Sequence, residues 1–453
     1  MLQARTQSLA CSAAIWLTAT GLVCISHGAH ANGRYPKADQ LLIAPDDAKF
    51  LAARSTFGFL ISRDSGQHWD WICERAIGYS GVQDPTLGLM ENGTLIASLS
   101  EGIARSADRG CNWAFSEAPL NDSPVIDLTV RKNAPNQALA LVWDAQSVGY
   151  SSRILASDDN GRSFAAHGNP IDPSVLVTTL DTAPSNPQRV YASGTRSVAG
   201  VRSGWLFRSD DDGEHWSEYP VPFDPQLEQG VYIAAVDPED ADTVYLRTSS
   251  ASVSRLLKSH DGGQQIDVLY SGSLLAFALS PDGKQLYFGG EDGLHGGLAG
   301  DSTFEKRAGL RLLCLAASAS TVYACSDEHS GFTIGASSDG GFTFEPVLHL
   351  KTVRGPLACS AATCASDWPL VQAQLGIPLA SDAGAGAGAA GAGAEADAGS
   401  SGVQASAAKT QGSCSLAGSS PGNAKVLGLL LAIALGALNR RRKSRAASRL
   451  PAK

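Results

Sequence analysis

The chain has 453 residues, of which 43% are hydrophobic, 48 are glycine and only 2 are methionine, and its formal net charge at pH 7 is −9. This length can hold one large all-β domain or two to three ordinary domains, and the glycine content favours short strands with tight turns over a helical bundle. The acidic balance, with no basic stripe carrying interleaved aromatic residues, gives no support to nucleic-acid binding.

Residues 1–31 have the pattern of a secretory signal peptide. Arg5 precedes an apolar stretch from about Leu9 to Ile25, which ends in the small-residue sequence AHA at Ala31. Such a segment is removed on export, so we predict cleavage after Ala31. The lipoprotein alternative is weaker because Cys24 lacks the small residue that a lipobox places before its cysteine.

An eight-residue pattern recurs within residues 32–378. Its first copy reads SRDSGQHW, and six copies start at positions 62, 106, 157, 209, 259 and 337. Ser, Asp and Gly occupy the first, third and fifth places of every copy, and the eighth is aromatic or Ile. The residues at these places are Ser62, Asp64, Gly66, Trp69; Ser106, Asp108, Gly110, Trp113; Ser157, Asp159, Gly161, Phe164; Ser209, Asp211, Gly213, Trp216; Ser259, Asp261, Gly263, Ile266; and Ser337, Asp339, Gly341, Phe344.

The spacing of the copies predicts the architecture. The steps are 44, 51, 52, 50 and 78 residues, so the last gap has room for a seventh unit, and LAGDSTFEKR fits it with Phe304 in the aromatic place. Two strands joined by a polar turn precede each octapeptide, a third strand leads into it and a fourth leaves it. Seven units of roughly 45 residues predict an all-β fold, a seven-bladed β-propeller of four-stranded blades over residues 32–378.

The octapeptides resemble the Asp-box, or BNR, repeats of sialidases, sortilin-type receptors, xyloglucanases and photosystem assembly factors. The resemblance implies the propeller fold but no particular function, because the same repeat serves glycosidases and binding proteins. In the first copy we expect Asp64 and Ser62 to hold backbone N–H groups of their own turn, Gly66 to adopt a positive φ, and Trp69 to bury its ring. We expect no substrate contact there.

Metal binding at the octapeptides is disfavoured. The sequences SDDNG and SDDDG look like parts of a calcium loop, but EF-hand loops built on Gly161 and Gly213 would start at Ala156 and Arg208, which supply no side-chain oxygen. We therefore predict no metal and no cofactor.

Sialidase resemblance would imply an Arg-Ile-Pro motif, an arginine triad, an acid/base Asp and a Tyr–Glu pair. Arg34 and Pro36 stand where the motif would begin, with Tyr35 between them. The triad candidates Arg196, Arg202, Arg255 and Arg311 show no sign of converging. The histidines form no constellation: His68, His215 and His260 lie in the octapeptides, and His167, His295, His329 and His349 are isolated. We predict no catalytic residue, although a carboxylate pair within one propeller stays open.

Seven cysteines lie outside the signal peptide, and an oxidising compartment should pair six of them. The predicted pairs are Cys314 with Cys325 across a hairpin, Cys359 with Cys364, and Cys73 with Cys111, which leaves Cys414 for sorting or processing.

The C-terminal part has a different composition. Residues 379–413 are rich in Ala, Gly and Ser and predict a disordered linker. Residues 414–445 contain a 13-residue apolar run, Val426 to Leu438, and an arginine cluster from Arg440 to Arg445, and residues 446–453 are predicted to be a cytoplasmic tail. A helix of that length spans about 20 Å, short of the ~30 Å hydrocarbon core.

This tail resembles the MYXO-CTERM class of sorting signals of myxobacteria, and Gly412, Ser413 and Cys414 are the matching residues. The resemblance implies a transient membrane segment that is processed after export. An ordinary short tail anchor is the alternative. The sequence thus predicts an exported, monomeric, non-enzymatic binding propeller at the bacterial cell surface or outer membrane, or in the extracellular medium. Its ligand would be a protein or a glycan, with glycoside hydrolysis as the alternative function and a structural role as a third.

Overall fold

A computed structural model describes residues 34–378 apart from 121–122 and 146–149. The predicted signal peptide, linker, sorting signal and cytoplasmic tail lie outside these residues. Within them no helix is both long and apolar enough to cross a membrane.

Seven antiparallel sheets of four consecutive strands follow one another along the chain, which confirms the predicted fold class. We number them blades 1 to 7. Blades 1 and 2 contain β1 (Ala38–Ile43), β2 (Leu51–Ser55), β3 (Gly58–Ser62), β4 (Asp70–Ile72), β5 (Leu87–Leu89), β6 (Leu95–Ser98), β7 (Ile103–Ser106) and β8 (Ala114–Phe115). Blades 3 and 4 contain β9 (Val125–Val130), β10 (Ala138–Ala145), β11 (Tyr150–Ser157), β12 (Ala165–Ile171), β13 (Val175–Thr182), β14 (Val190–Val198), β15 (Val201–Ser209) and β16 (Ser217–Val221).

The remaining blades have the same order of strands. They contain β17 (Glu228–Val236), β18 (Val244–Ser250), β19 (Ser254–Ser259), β20 (Asp267–Gly272), β21 (Ala276–Leu279), β22 (Gln285–Gly290), β23 (Gly293–Leu298), β24 (Glu305–Ala308), β25 (Cys314–Ala317), β26 (Val322–Cys325), β27 (Ile334–Ser337) and β28 (Glu345–Leu348). Helices α1 (Glu74–Ile77), α2 (Ala361–Cys364) and α3 (Trp368–Gln374) and three 3-10 turns (Glu91–Gly93, Glu328–Ser330 and Leu350–Thr352) lie outside the sheets.

The sheets form a closed ring. The first strand of each blade contacts the first strand of the next, and β25 of the last blade contacts β1 of the first. Hydrophobic clusters fill the spaces between neighbouring blades. Strand β18 shows how the sequence produces them: Val244 and Leu246 face the cluster shared with blade 4, whereas Tyr245 between them faces the cluster shared with blade 6. Both faces of a blade are therefore apolar, because side chains alternate along a strand.

The antiparallel order gives the ring two distinct faces. The octapeptides lie between the third and fourth strands, at the same end of each blade as the turn between the first and second strands. We call this end the box face. The turn between the second and third strands and the connection to the next blade lie at the other end, the loop face.

A C-terminal segment, residues 354–377, packs against the outer strand of blade 1, and we call it the clasp. It lies parallel to β4, with Trp71 donating its backbone N–H to Gly355 O at 2.7 Å and accepting from the Leu357 N–H at 2.7 Å. The Trp71 and Trp368 rings pack with centres 5.5 Å apart. Arg75 forms an ion pair with Asp367 at 2.8 Å.

Disulfides link the clasp to the first two blades. Cys73 bonds to Cys364 and Cys111 to Cys359, so the predicted pairs Cys73–Cys111 and Cys359–Cys364 are wrong. The physical reason is ring closure, which brings the end of the propeller sequence against its beginning and makes sequence distance a poor guide. The predicted pair Cys314–Cys325 is confirmed, because these residues are direct partners across β25 and β26. Three disulfides indicate an oxidising compartment and thus an exported protein.

Candidate functional site

The six octapeptides adopt one turn with one set of hydrogen bonds. In the first, the Ser62 hydroxyl accepts from the Gly66 N–H at 2.8 Å and donates to Asp64 Oδ1 at 2.9 Å. Asp64 Oδ1 also accepts from the His68 N–H at 2.9 Å. The corresponding bonds at the other copies are between 2.7 and 3.0 Å. The polar side chains of the turn are therefore occupied by their own backbone.

Two consecutive residues of each turn have left-handed backbone. The fifth place is glycine, with φ of 90° at Gly66, and the fourth place also has a positive φ although four of its six residues carry a side chain. The fourth-place residues are Ser65, Arg109, Asn160, Asp212, Gly262 and Gly340. This pair of left-handed residues turns the backbone within the octapeptide.

The eighth residue of each octapeptide fills the space between its own blade and the preceding one. Trp69 lies in the cluster between blades 7 and 1 and is 1% exposed. Phe304, from the degenerate sequence, occupies the corresponding cluster between blades 5 and 6. The same arrangement holds for Trp113, Phe164, Trp216, Ile266 and Phe344.

Cations join neighbouring turns, which the sequence analysis missed. Arg105 Nε donates to Asn160 O at 2.7 Å, and Arg208 Nη1 donates to Gly262 O at 3.2 Å. Each acceptor is the fourth residue of the next octapeptide. The available signal was a basic residue just before the first Ser, at Arg105, Arg208 and Lys258.

The electrostatics of the octapeptides are unsuited to acid catalysis. Hydrogen bonds from the His215 ring and backbone lower the pKa of Asp211 to about 2. The same kind of bonding lowers the pKa of Asp64 against the opposing effect of burial. A general acid needs a raised pKa, so these carboxylates serve as hydrogen-bond acceptors. No group of three or more His, Cys, Asp or Glu in the described residues has the geometry of a metal site.

The arginines considered for a triad are each engaged separately. Arg196 pairs with Glu218 at 2.9 Å and stacks on Trp205, and Arg255 binds Glu228 at 2.7 Å. Arg202 donates to a backbone carbonyl, Gln229 O, at 3.1 Å. Arg34 pairs with Asp84, and Arg311 pairs with Glu291 and Asp327. These contacts do not bring three guanidinium groups to one point.

The remaining histidines are also held by structural contacts. His167 pairs with Asp212 at 3.2 Å, which raises its pKa, and His349 lies 3.1 Å from Glu328. His329 stacks with Tyr35, their ring centres 6.3 Å apart. Burial lowers the pKa of His295, which lies within the aromatic cluster between blades 5 and 6.

More than half of the exposed large hydrophobic side chains among the described residues lie at the loop face. Of the twelve large hydrophobic side chains that are exposed among the described residues, seven lie at this face, five in turns or connections and two at the strand ends that border a turn. They are Tyr35, Val82, Val198, Val201, Leu227, Val253 and Leu275, each 45% to 65% exposed. Six of the seven are aliphatic.

A partly buried cation in the middle of β18 lacks an anionic partner among the described residues. The Arg247 guanidinium lies 4.8 Å from the ring centre of Tyr232, and among the described residues it makes no hydrogen bond or ion pair. The Tyr232 ring covers Gly230, toward the end of β17 at the loop face. Burial lowers the pKa of Arg247. A cation without an anionic partner is costly to hold away from water. An anionic group of a ligand would therefore be stabilised beside the Arg247 guanidinium.

Comparisons with solved structures support the fold. An ancestral GH74 enzyme is similar over 70% of this chain and 46% of its own, with 11% identity and a TM-score of 0.52. The propeller domain of Cps50 (Swd1) from Myceliophteria thermophila is similar over 67% of this chain and 97% of that domain, with 10% identity and a TM-score of 0.46. A Hadza microbial sialidase is similar over 62% of this chain and 72% of its own, with 16% identity and a TM-score of 0.37.

At these identities the likeness shows the propeller fold alone. The chain spans less than half the length of the GH74 enzyme that it matches. No sequence profile of a known family matches the chain, and no curated protein matches it in sequence. The class of protein that the fold defines is thus a seven-bladed β-propeller, and the likeness to the ancestral GH74 enzyme extends to the fold alone.

Proposed function

We propose that the protein is an exported binding propeller that holds a protein segment against its loop face. The observation that carries this proposal is the set of exposed aliphatic side chains on that face. Exposed apolar groups that gather on one side of a fold are typical of interaction sites. Leu227, Val253 and Leu275 lie at the loop-face end of blade 5, and the Arg247–Tyr232 pair lies in the middle of the first two strands of the same blade.

The chemistry of these residues favours a peptide over a glycan at the loop face. Sugar rings stack on the flat faces of aromatic side chains, whereas the exposed residues here are almost all Val and Leu. Aliphatic surface packs well against aliphatic side chains of a peptide. Arg247 would form an ion pair with an acidic side chain of the same peptide. We therefore expect a ligand that combines aliphatic and acidic residues.

The test compares binding of peptides from a random 12-residue display library to the mature protein and to variants. Leu227→Asp/Val253→Asp/Leu275→Asp should weaken selected peptides at least tenfold in Kd, about 1.4 kcal/mol. The control Val268→Asp/Leu370→Asp replaces residues equally open to solvent on β20 and α3, and it should leave Kd unchanged. Equal loss in both variants, or hydrolysis of fluorogenic glycosides that a single carboxylate substitution abolishes, would overturn the proposal.

We also propose display at the cell surface through the C-terminal tail, which lies outside the described residues. The support is the order of Cys414, apolar run and arginine cluster in the sequence. Intact-mass analysis of the protein from its native cell tests this. A processed C terminus near Cys414 is expected, and a mass that still includes Leu438 and Arg442 would refute processing.

A further inference from the structure

Blade 6 differs from the other six blades at the box face. Its connection between β23 and β24 has six residues, 299–304, where the first blade has seven, 63–69. It lacks the Ser-x-Asp-x-Gly pattern, and Asp301 instead accepts a hydrogen bond from the Leu298 N–H at 2.8 Å. This turn is thus one residue shorter than the corresponding turn of every other blade.

Blade 6 has two cavities on its surface, and the larger one borders this turn. One of about 480 Å³ is lined by Gln285, Leu298, Asp301, Thr303, Phe304, Glu305 and Arg307 over a floor of Gly296 and Gly297. The other, of about 410 Å³, lies between the first turns of blades 6 and 7, and Gln285 borders both. Both volumes are in the range of small-molecule sites.

The floor of the larger cavity consists of glycine in the middle of a strand. A Cβ at Gly296 would lie 2.6 Å from Arg307 Cζ, and a Cβ at Gly297 would lie 3.0 Å from Phe304 Cδ1. Glycine weakens a strand interior and often marks close approach by another group. Here the two glycines let a guanidinium and an aromatic ring lie directly on the backbone of β23.

Arg307 is held in place without a carboxylate partner among the described residues. Its Cζ lies 5.2 Å from the ring centre of Tyr287 and 5.3 Å from that of Phe342, and Nη1 donates to Gly340 O at 2.6 Å. Its Nε is buried with no hydrogen-bond acceptor. The cation is therefore fixed in position with donor capacity left over, which is costly unless something accepts from it.

The lining selects a class of ligand. Asp301 and Glu305 disfavour an anion, and Arg307 disfavours a cation. The polar groups outnumber the apolar Leu298 and Phe304, which disfavours a wholly apolar molecule. A polyhydroxylated ring suits this mixture, because each hydroxyl both donates to a carboxylate and accepts from a guanidinium or amide. We propose that this cavity binds a neutral sugar residue of a glycan. The site is independent of the peptide site proposed at the loop face.

The experiment measures binding to the mature protein by saturation-transfer NMR. The five probes are maltohexaose, cellohexaose, xylohexaose, hexa-N-acetylchitohexaose and mannohexaose. At least one should bind with a Kd below about 10 mM, within reach of a single small site. Thr303→Val/Glu305→Ala should weaken it at least tenfold. Glu345→Ala, which removes an exposed carboxylate on the neighbouring β28, should leave binding unchanged.

Three outcomes would overturn this site. They are the absence of binding for all five probes, equal binding by Thr303→Val/Glu305→Ala and wild type, and loss of binding in Leu227→Asp/Val253→Asp/Leu275→Asp instead. The last result would place the sugar on the loop face and contradict the peptide preference proposed there. Failure of peptide binding alone leaves the sugar result intact, so the two proposals are tested separately.

Discussion

At the scale of single residues, the first Ser of each octapeptide does more than its small size suggests. Its hydroxyl accepts from the N–H of the fifth residue and donates to the third. The backbone N–H it satisfies is buried at Gly263. Loss of the hydroxyl therefore leaves a buried donor without an acceptor.

We predict that Ser259→Ala lowers the free energy of unfolding by about 1–3 kcal/mol, the penalty for an unsatisfied buried donor. The shift of the urea midpoint measures it. His260→Ala, in the same turn but exposed, serves as the matched control and should shift the midpoint little. If the midpoint of Ser259→Ala shifted as little as that of His260→Ala, the Ser259 hydroxyl would not stabilise the turn.

A second single-residue effect concerns Asp127 on β9, whose carboxylate connects three blades. It accepts from the Leu180 N–H of blade 4 at 3.0 Å and from the Thr86 hydroxyl on the blade 2 side at 3.4 Å. Burial, with a smaller contribution from the Asp181 charge, raises its pKa to about 7. In the unfolded chain the value is about 4.

The sign of the pH effect follows from these values. The folded state disfavours the ionised carboxylate, so this group lowers the free energy of unfolding as pH rises from about 4 to about 7, by at most about 4 kcal/mol. Asp127→Asn should remove that decline when urea midpoints at pH 5 and pH 8 are compared. Asp282→Asn, at an exposed turn, should keep it. A decline of the same size in Asp127→Asn would assign the effect to other groups.

The roles of the recurring side chains could be predicted from the sequence. Contacts between residues of different blades could not. The fixed places of Ser62, Asp64 and Gly66 pointed to a turn. The left-handed backbone at Ser65 has no signal of its own, because Ser commonly adopts other conformations. The bond from Arg105 to Asn160 O joins residues 55 apart, and only the three-dimensional ring brings them together.

At the scale of elements, the blade could be predicted because its inner strands are apolar on both sides and its turns carry polar signals. The alternation at Val244, Tyr245 and Leu246 is sufficient to place one strand between two neighbours. The spacing also located the degenerate unit at Phe304. The clasp could not be predicted, since a parallel addition of residues 354–357 to β4 depends on where the ring brings the chain end.

The disulfides differ in what they restrain. Cys73–Cys364 joins residues 291 apart in sequence, whereas Cys314–Cys325 joins residues 11 apart within one hairpin. In the chain-entropy view a cross-link stabilises more when it closes a longer loop. The clasp bonds also reinforce the hydrogen bonds, ion pair and ring packing that hold the clasp against blade 1.

We predict that replacing all four clasp cysteines, Cys73, Cys111, Cys359 and Cys364, by Ala lowers stability by at least about 2 kcal/mol more than Cys314→Ala/Cys325→Ala. Thermal midpoints of the two variants under non-reducing conditions give the comparison. A larger drop in the hairpin variant would show that blade 7, and not the clasp, limits the stability of the ring.

At the scale of the whole molecule, the ring has two faces that differ in the kinds of turn and side chain they carry. The box face is occupied by turns with internal hydrogen bonds, and only the turn of blade 6 lacks the octapeptide pattern among the described blades. The loop face carries connections that vary in length and expose aliphatic side chains. The period of the octapeptides was enough to predict the ring. The position of binding residues was not, because loop composition carries no repeat from which to infer it.

The bond between Cys73 and Cys364 also makes the chain a covalent macrocycle. Residues 73–364 form an uninterrupted loop of peptide bonds closed by one disulfide. A protease that cuts one connection in this loop would linearise the macrocycle without releasing a fragment, and all seven blades would stay on one molecule until the disulfides were reduced. For an exported protein, survival of a first proteolytic cut is thus a property of topology.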